Sequence, residues 1–445
     1  MNNSKANSID WRAVIVFVSI AFSSQCGGGF ASGSTPWTYF FRNSGFFGIL
    51  PEVHSAAFCL LGPVVVAIIN CVVIYFFMKF AMDFRAFDYG TFLEKYGERY
   101  WGGILVKPLK YVYEINFNWT LIVCMALAYS TSGSALAELT GIPYLATTFI
   151  VGIIMFVLCM KGTDLVRKNA VFMSAVIFVS LVVVHVPNLF HNIASGNLAT
   201  QMAAIKAGFS FDYVSAAGVA GTETVPSVAG AFAKYLIIAL VWAYIFSGQN
   251  LAGFGAYVNH ANIFNNKKTL RVAVILSVIA NWAFLEMSAV NLASNYTEIL
   301  NGWASGKAVY SIMIVQNGVF QGGMKVVSLT LITVAIFFAT ISTAINYAQG
   351  FNDRVLNWAE VAIFKNESAE DHAAKRNKRG MILTLAYIVL TWGVAQAGLT
   401  ALVAKGLTAA SLIILFTLIL PTIINVAIGW PDADYEKISE ELYKE

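Results

Sequence analysis

The sequence predicts an all-α integral membrane protein: ten transmembrane helices in two five-helix halves of opposite orientation. Three observations predict it. Of 445 residues, 58% are hydrophobic and only 12% are charged, about half the roughly 25% charged share of soluble domains. Ten apolar runs each approach the roughly 17–25 residues that cross a bilayer. The basic residues gather on one side of those runs. A cytosolic enzyme, a secreted disulfide scaffold and a disordered chain are excluded by this composition, and a net charge of +4 carries no nucleic-acid signal.

The first run, about 11–41, is interrupted by glycines. Runs two to five are about 55–81, 112–136, 143–160 and 170–190. These complete a first repeat over 11–190, and a polar, Gly- and Ala-rich extracellular connection follows over 191–229. The second repeat, 230–430, holds runs of about 230–257, 271–295, 325–350, 380–398 and 407–430. Residues 431–445 form a polar, acidic cytoplasmic tail. The five cysteines, Cys26, Cys59, Cys71, Cys124 and Cys159, fall in or beside apolar runs without a CxxC pair, so they read as small core residues.

Charge placement fixes the orientation. The N-terminal tail, the loops after runs two, four, six and eight, and the C-terminal tail together carry 22 of the 28 Lys and Arg. The opposite face has only Arg42, Lys206, Lys234, Lys307, Lys325 and Lys405. Both termini are therefore expected in the cytoplasm, with the protein in the cell membrane. In the loop after run two, Phe92, Leu93, Tyr96, Tyr100, Trp101, Ile104 and Leu105 recur at helical spacing, with Glu94, Lys95, Glu98 and Arg99 between them. This reads as an amphipathic helix on the inner membrane surface, or as a plain loop helix.

Runs one and six share a feature. Run one contains Gln25-Cys26-Gly27-Gly28-Gly29-Phe30, and run six contains Gln249-Asn250-Leu251-Ala252-Gly253-Phe254. Both read Gln, three residues, Gly-Phe, at an offset of 224 residues. Five spans separate them, so the two halves insert with opposite orientation, as in an inverted repeat. Three consecutive glycines, then Gly33 and Pro36, make a poor helix interior, since each Gly costs about 1 kcal/mol relative to Ala. Unwound backbone is tolerated in a membrane only where it is buried or lines a wet cavity. There its N–H and C=O groups become ligands, for anions at a half-helix N-terminus and for cations at a C-terminus. The competing reading of a single Gly-rich span is a close helix contact.

Run eight carries Ala339-Thr340-Ile341-Ser342-Thr343-Ala344-Ile345-Asn346 in an otherwise apolar helix. Hydroxyls and backbone carbonyls make a neutral oxygen cage suited to a monovalent cation, without the carboxylates that Ca²⁺ or Mg²⁺ would take. The alternative is ordinary bonding of Ser and Thr back to the preceding turn.

The interrupted first and sixth runs, the five-plus-five topology and the Ser-Thr pair in run eight resemble the leucine-transporter (LeuT-type) fold of the amino acid–polyamine–cation (APC) superfamily. The stretch Gly28-Gly29-Phe30-Ala31-Ser32-Gly33-Ser34 is similar to the Gly-x-Gly-Phe-Ala-Ser-Gly pattern of YkvI-type bacterial membrane proteins, which are grouped as amino-acid permeases. Ser34-Thr35 stands where those relatives carry Gln-Glu. The resemblance implies a Na⁺ held by the carbonyls of Gln25, Gly28 and Ala339 and the hydroxyls of Ser342 and Thr343. Proton-coupled relatives place a Lys in run five; Ala170 to Phe190 has none, which favours Na⁺. The implied substrate positions are Gly27, Gly28, Gly29, Phe30 and Ser32 at the first break and Ser247, Gly248, Gln249 and Asn250 at the second. An amino-acid carboxylate would meet N–H groups near Gly28–Phe30, and its ammonium would meet carbonyls near Ser247–Asn250. Tyr129 of run three is the implied additional carboxylate ligand; an ordinary packed Tyr is the alternative.

Glu286 lies mid-way along run seven, roughly 22 Å from its inner end. A carboxylate at that depth is a functional hypothesis by default. It is a proton carrier, a fixed counter-charge, or a Glu paired with Asn281 or Asn291. Glu138 is expected to reach the outer interface, and His185 to be a buried, hydrogen-bonded histidine. No HExxH, paired-aspartate or GxxxxGK[ST] signature is present, so neither a membrane enzyme nor a primary pump is expected. The expected function is secondary active transport of a small organic solute, an amino acid, coupled to Na⁺ by alternating access and needing no cofactor. The alternatives are a proton-coupled transporter using Glu286 and a non-transporting sensor.

Overall fold

The computed structural model describes residues 8–428, apart from 26, 44, 48, 51–52, 55, 102, 162, 216–217 and 366. The expected cytoplasmic tail, 431–445, lies outside the described residues, as does Cys26. The chain is mostly helical. Seven described helices are long and apolar enough to cross a membrane. Two shorter apolar helices, Trp11–Phe22 and Tyr144–Cys159, coincide with runs one and four. Run nine lies inside a helix whose first turns hold Glu370, Asp371, Lys375, Arg376, Lys378 and Arg379, so its apolar part is short.

The first run folds as three pieces: α1 (Trp11–Gln25), α2 (Gly28–Ala31) and α3 (Ser34–Phe40). Next come α4 (Leu61–Asp83), α5 (Tyr89–Tyr100), α6 (Val106–Thr140), α7 (Tyr144–Lys161) and α8 (Thr163–Ala194). The connection folds as α9 (Asn197–Ala207) and an antiparallel hairpin, Phe209–Val214 with Ala220–Val225. The sixth run is again broken, into α10 (Phe232–Leu251) and α11 (Phe254–Val258). Then follow α12 (Lys267–Ser294), α13 (Tyr296–Ala304), α14 (Tyr310–Asn317), α15 (Gly322–Ala362) and α16 (Ala369–Ala395). The last span, α17 (Leu399–Ala427), includes two π-helical stretches, Leu402–Leu407 and Leu415–Ile419.

Polar side chains cap the N-termini of three helices. The Asp88 carboxylate accepts from Thr91 N–H (2.9 Å), the Asn266 amide oxygen from Thr269 N–H (2.7 Å), and Ser368 Oγ from Asp371 N–H (3.1 Å), each filling an orphan helix donor.

The helices pack in two groups. One joins α1, α4, α10 and α12; the other joins α6, α7, α8, α15 and α16, and α17 packs on α10 and α6. The short α2 lies between the groups, against α15 and α6. Helix α5 does not rest on lipid with its aromatic face. Phe92, Leu93 and Tyr96 are buried among the rings of Phe76, Phe77, Phe80 and Phe254. These three residues of the stripe meet an aromatic cluster of the protein, whereas Ile104 and Leu105 are exposed beyond the end of α5.

Candidate functional site at the helix breaks

The first break is sharp because glycine permits it. Gly27 is extended (φ −75°, ψ 179°) and caps α2, and Gly33 takes the left-handed region (φ 78°) before α3. Gly28 also permits a close approach. A Cβ there would lie 2.5 Å from Thr340 Cγ2 and 3.3 Å from Thr131 Oγ1, well inside ordinary contact distance. The second break is gentler, with Ala252 helical and Gly253 at φ −90°, ψ 24°.

The two breaks are tied together. Tyr257 of α11 is buried, and its hydroxyl lies 2.9 Å from Ser24 Oγ and accepts from Gln25 Nε2 at 3.1 Å. Gln25 and Phe30 from the first break and Asn250 from the second line one cavity of about 20 Å³, together with Asn70 of α4 and Asn281 of α12. That space holds a water or two.

Of the side chains expected to hold a cation, Thr343 of α15 lies beside the first break. Thr343 Oγ1 is 4.0 Å from where a Gly27 Cβ would stand. Ser342 Oγ donates to the Ala339 carbonyl at 3.2 Å; a hydroxyl that donates keeps its lone pairs for a cation. The Gly28 carbonyl accepts from Ser32 N–H at 2.9 Å, and a carbonyl likewise has a second lone pair. Among the described residues no three His, Cys, Asp or Glu converge on a metal position, so a cation here would rest on neutral oxygens.

Other expected positions are engaged in packing. Phe30 and Ala31 N–H groups both donate to the Gly27 carbonyl (3.0 Å each), which leaves the N–H groups of Gly28 and Gly29 for a ligand. Ser32 Oγ donates to the Gly29 carbonyl at 3.0 Å, and Ser247 Oγ to the Ala243 carbonyl at 3.2 Å. Gly248 lies against α17, where a Cβ would come within 2.7 Å of the Ser411 carbonyl. Gln249 is half-buried, and its Oε1 has no hydrogen-bond partner. Tyr129 is fully buried with an unpartnered hydroxyl, and its ring lies beside Gly152 of α7.

Thr131, two residues further along α6, faces Gly28 instead, because positions two apart point about 200° apart on a helix. Its hydroxyl is fully buried and has no hydrogen-bond partner. Beside it Ser132 Oγ lies 2.6 Å from Thr340 Oγ1. The run Ser130-Thr131-Ser132-Gly133-Ser134 was the available sequence signal for this cluster. Ser311 of α14 is a second unforeseen participant. Its Oγ donates to the Ala31 carbonyl (2.6 Å) and its N–H to the Ser32 carbonyl (2.9 Å), closing the end of α2.

Glu286 is half-buried, and its Oε2 has no hydrogen-bond partner. Neither asparagine considered for it donates there. Asn281 bonds the Ser277 carbonyl at 2.9 Å, and Asn291 bonds His185 through its ring (3.2 Å) and carbonyl (3.0 Å). His185 is thus a buried, hydrogen-bonded side chain. Glu138, half-buried near the end of α6, accepts from the N–H groups of Ala308 and Val309, each at 3.2 Å.

No family model matches the sequence, and no curated protein matches it. Among solved structures the chain is similar to a Na⁺-coupled sialic acid symporter in a substrate-bound outward-open state. That likeness has a TM-score of 0.48 at 11% identity and covers 96% of this chain and 99% of that one. It is also similar to the manganese transporter of Eremococcus coleocola, with a TM-score of 0.39 at 13% identity over 97% of this chain and 92% of that one. Likeness at this level says nothing of substrate or ion. The helices themselves establish a mostly α-helical, multi-pass membrane protein whose two interrupted helices meet at a small cavity lined by apolar side chains and four carboxamides.

Proposed function

We propose that the protein is a secondary active transporter of a small organic solute, an amino acid, coupled to Na⁺ by alternating access on a LeuT-type five-plus-five inverted repeat of ten helices. The observation that carries this reading is the meeting of the two breaks. Positions 224 residues apart in sequence interrupt two helices at one place, joined through Tyr257 and sharing one cavity. Interrupted backbone in a membrane is stable only where protein or a polar cavity satisfies it, and its exposed N–H and C=O groups suit a zwitterion.

In this reading the solute's carboxylate meets the N–H groups at the start of α2, and its ammonium meets the carbonyls at the end of α10. Na⁺ lies between the first break and α15, on Ser342, Thr343 and backbone carbonyls from Gln25 and Gly28. The unpartnered hydroxyl of Thr131 adds a further oxygen beside Gly28. Access alternates as the group α1, α4, α10, α12 tilts against the group built on α6, α8 and α15. A second reading, proton coupling through Glu286, draws on the buried, unpartnered Oε2 of that residue, since intramembrane carboxylates commonly carry protons.

The test is thermal stability of the purified protein with each amino acid, in Na⁺ and in an inert cation, because a ligand that binds the native state raises apparent stability. The expected result is a shift with a subset of amino acids that grows in Na⁺. No shift with any amino acid, in either salt, overturns the reading.

A further inference from the structure

The cavity between the breaks has a chemistry of its own. Four of the helices around it each contribute a carboxamide: Gln25 from α1, Asn70 from α4, Asn250 from α10 and Asn281 from α12. The rest of its wall is apolar, including the rings of Phe30, Phe246 and Trp282, and no Asp, Glu, Lys, Arg or His lines it. Asn70 is 4% exposed, and its Oδ1 has no hydrogen-bond partner. A buried amide oxygen left unpaired costs about 1–3 kcal/mol, so Asn70 reads as a group kept for a ligand. The amide nitrogens of Gln25 and Asn281 each donate one N–H, to Tyr257 and to the Ser277 carbonyl. Each keeps a second N–H and its oxygen, so the wall offers neutral acceptors and donors together. Asn250, with no hydrogen bond to the protein among the described contacts, has both an acceptor and an NH₂ donor to offer.

We infer that this cavity receives the side-chain end of the solute and selects an uncharged primary carboxamide. The inference rests on the reading above that an amino acid lies at the breaks. A carboxamide NH₂ donates to Asn70 Oδ1 and to one further amide oxygen, of Gln25 or Asn281, and its carbonyl accepts from Asn250. A carboxylate end would be desolvated with no cation beside it and would face the unpaired Asn70 Oδ1. An ammonium end would be desolvated with no counter-charge, which is more costly than burying a neutral amide. An aliphatic end would strand Asn70 Oδ1. The flat aromatic walls suit a planar amide. The size of the cavity, about 20 Å³, admits the tip of a side chain and not a whole solute.

The test compares glutamine, glutamate, lysine and leucine by the concentration at which each raises the melting temperature of the unmodified full-length protein in Na⁺. Glutamine is expected to act at least tenfold below the other three. Asn70→Leu is expected to weaken glutamine at least tenfold and to strengthen leucine. Equal or tighter action by glutamate, lysine or leucine on the unmodified protein overturns the inference and leaves the transport reading standing. An Asn70→Leu protein that loses its response to Na⁺ and keeps its response to glutamine overturns it as well. Absence of a shift with any of the four and with every other amino acid overturns the transport reading itself.

Discussion

Gly28→Ala probes the close packing of the first break on α15. The added Cβ would lie 2.5 Å from Thr340 Cγ2, whereas carbon atoms rest about 3.5–4.0 Å apart. Thr340 cannot simply turn its methyl away. Its Oγ1 lies 2.6 Å from Ser132 Oγ and donates to the Phe337 carbonyl at 2.9 Å, and a rotamer change would break both bonds. Overpacking of this kind costs about 1–3 kcal/mol. Thr340→Ser removes the clashing methyl and keeps the hydroxyl; alone it costs about 0.8 kcal/mol for the lost methyl. The double variant should therefore stand level with Thr340→Ser alone, a favourable coupling of about 1–3 kcal/mol between the sites. Chemical unfolding of the four proteins in one detergent measures this. Strictly additive effects would refute the packing described for Gly28.

Three further outcomes are expected. Ser342→Ala with Thr343→Ala should weaken the stabilisation by Na⁺ at least tenfold and leave the melting temperature without Na⁺ little changed; an unchanged Na⁺ titration removes the cage. Glu286→Gln discards a half-buried carboxylate whose Oε2 lacks a partner, so stability should hold or rise, and uptake should keep its pH dependence under Na⁺ coupling. A flat pH profile in that variant would transfer the coupling to protons. Arg354 bonds Glu114 at 2.5 Å, but the pair is 24% and 40% exposed, so the charge alone contributes about 0–1 kcal/mol. Arg354 also stacks over Tyr89 (4.7 Å) and Phe117 (4.1 Å), so Arg354→Lys should still cost about 0.5–1 kcal/mol, read by the same unfolding titration.

Both helix breaks were legible because membranes punish polar and glycine-rich sequence. Gly27–Gly29 and the matched Gln-to-Gly-Phe spacing mark both interruptions, and the structure breaks α1 from α2 and α10 from α11 at those places. Partners across the bundle were not legible, since they depend on which way a helix is rotated. Tyr129 and Thr131 are equally polar candidates by sequence; only the packing of α6 turns Thr131 to Gly28 and Tyr129 to Gly152. Asn70 sits in an otherwise apolar run and gains meaning only from the cavity it lines. The segment between α12 and α15 has no long apolar run, so α13 and α14 and the contact of Ser311 with α2 went unforeseen. The π-helical stretches of α17 were invisible for a different reason: they change backbone bonding without a glycine or proline within either stretch other than Gly406.

Uptake of radiolabelled amino acids into proteoliposomes under an imposed Na⁺ gradient tests the transport reading most directly. Accumulation above equilibrium is expected when Na⁺ is higher outside, collapsing when the gradient is dissipated and when Ser342 and Thr343 are both replaced by Ala. Accumulation that is indifferent to Na⁺ and follows a pH gradient instead, or no accumulation of any amino acid by protein that melts cooperatively, would contradict it.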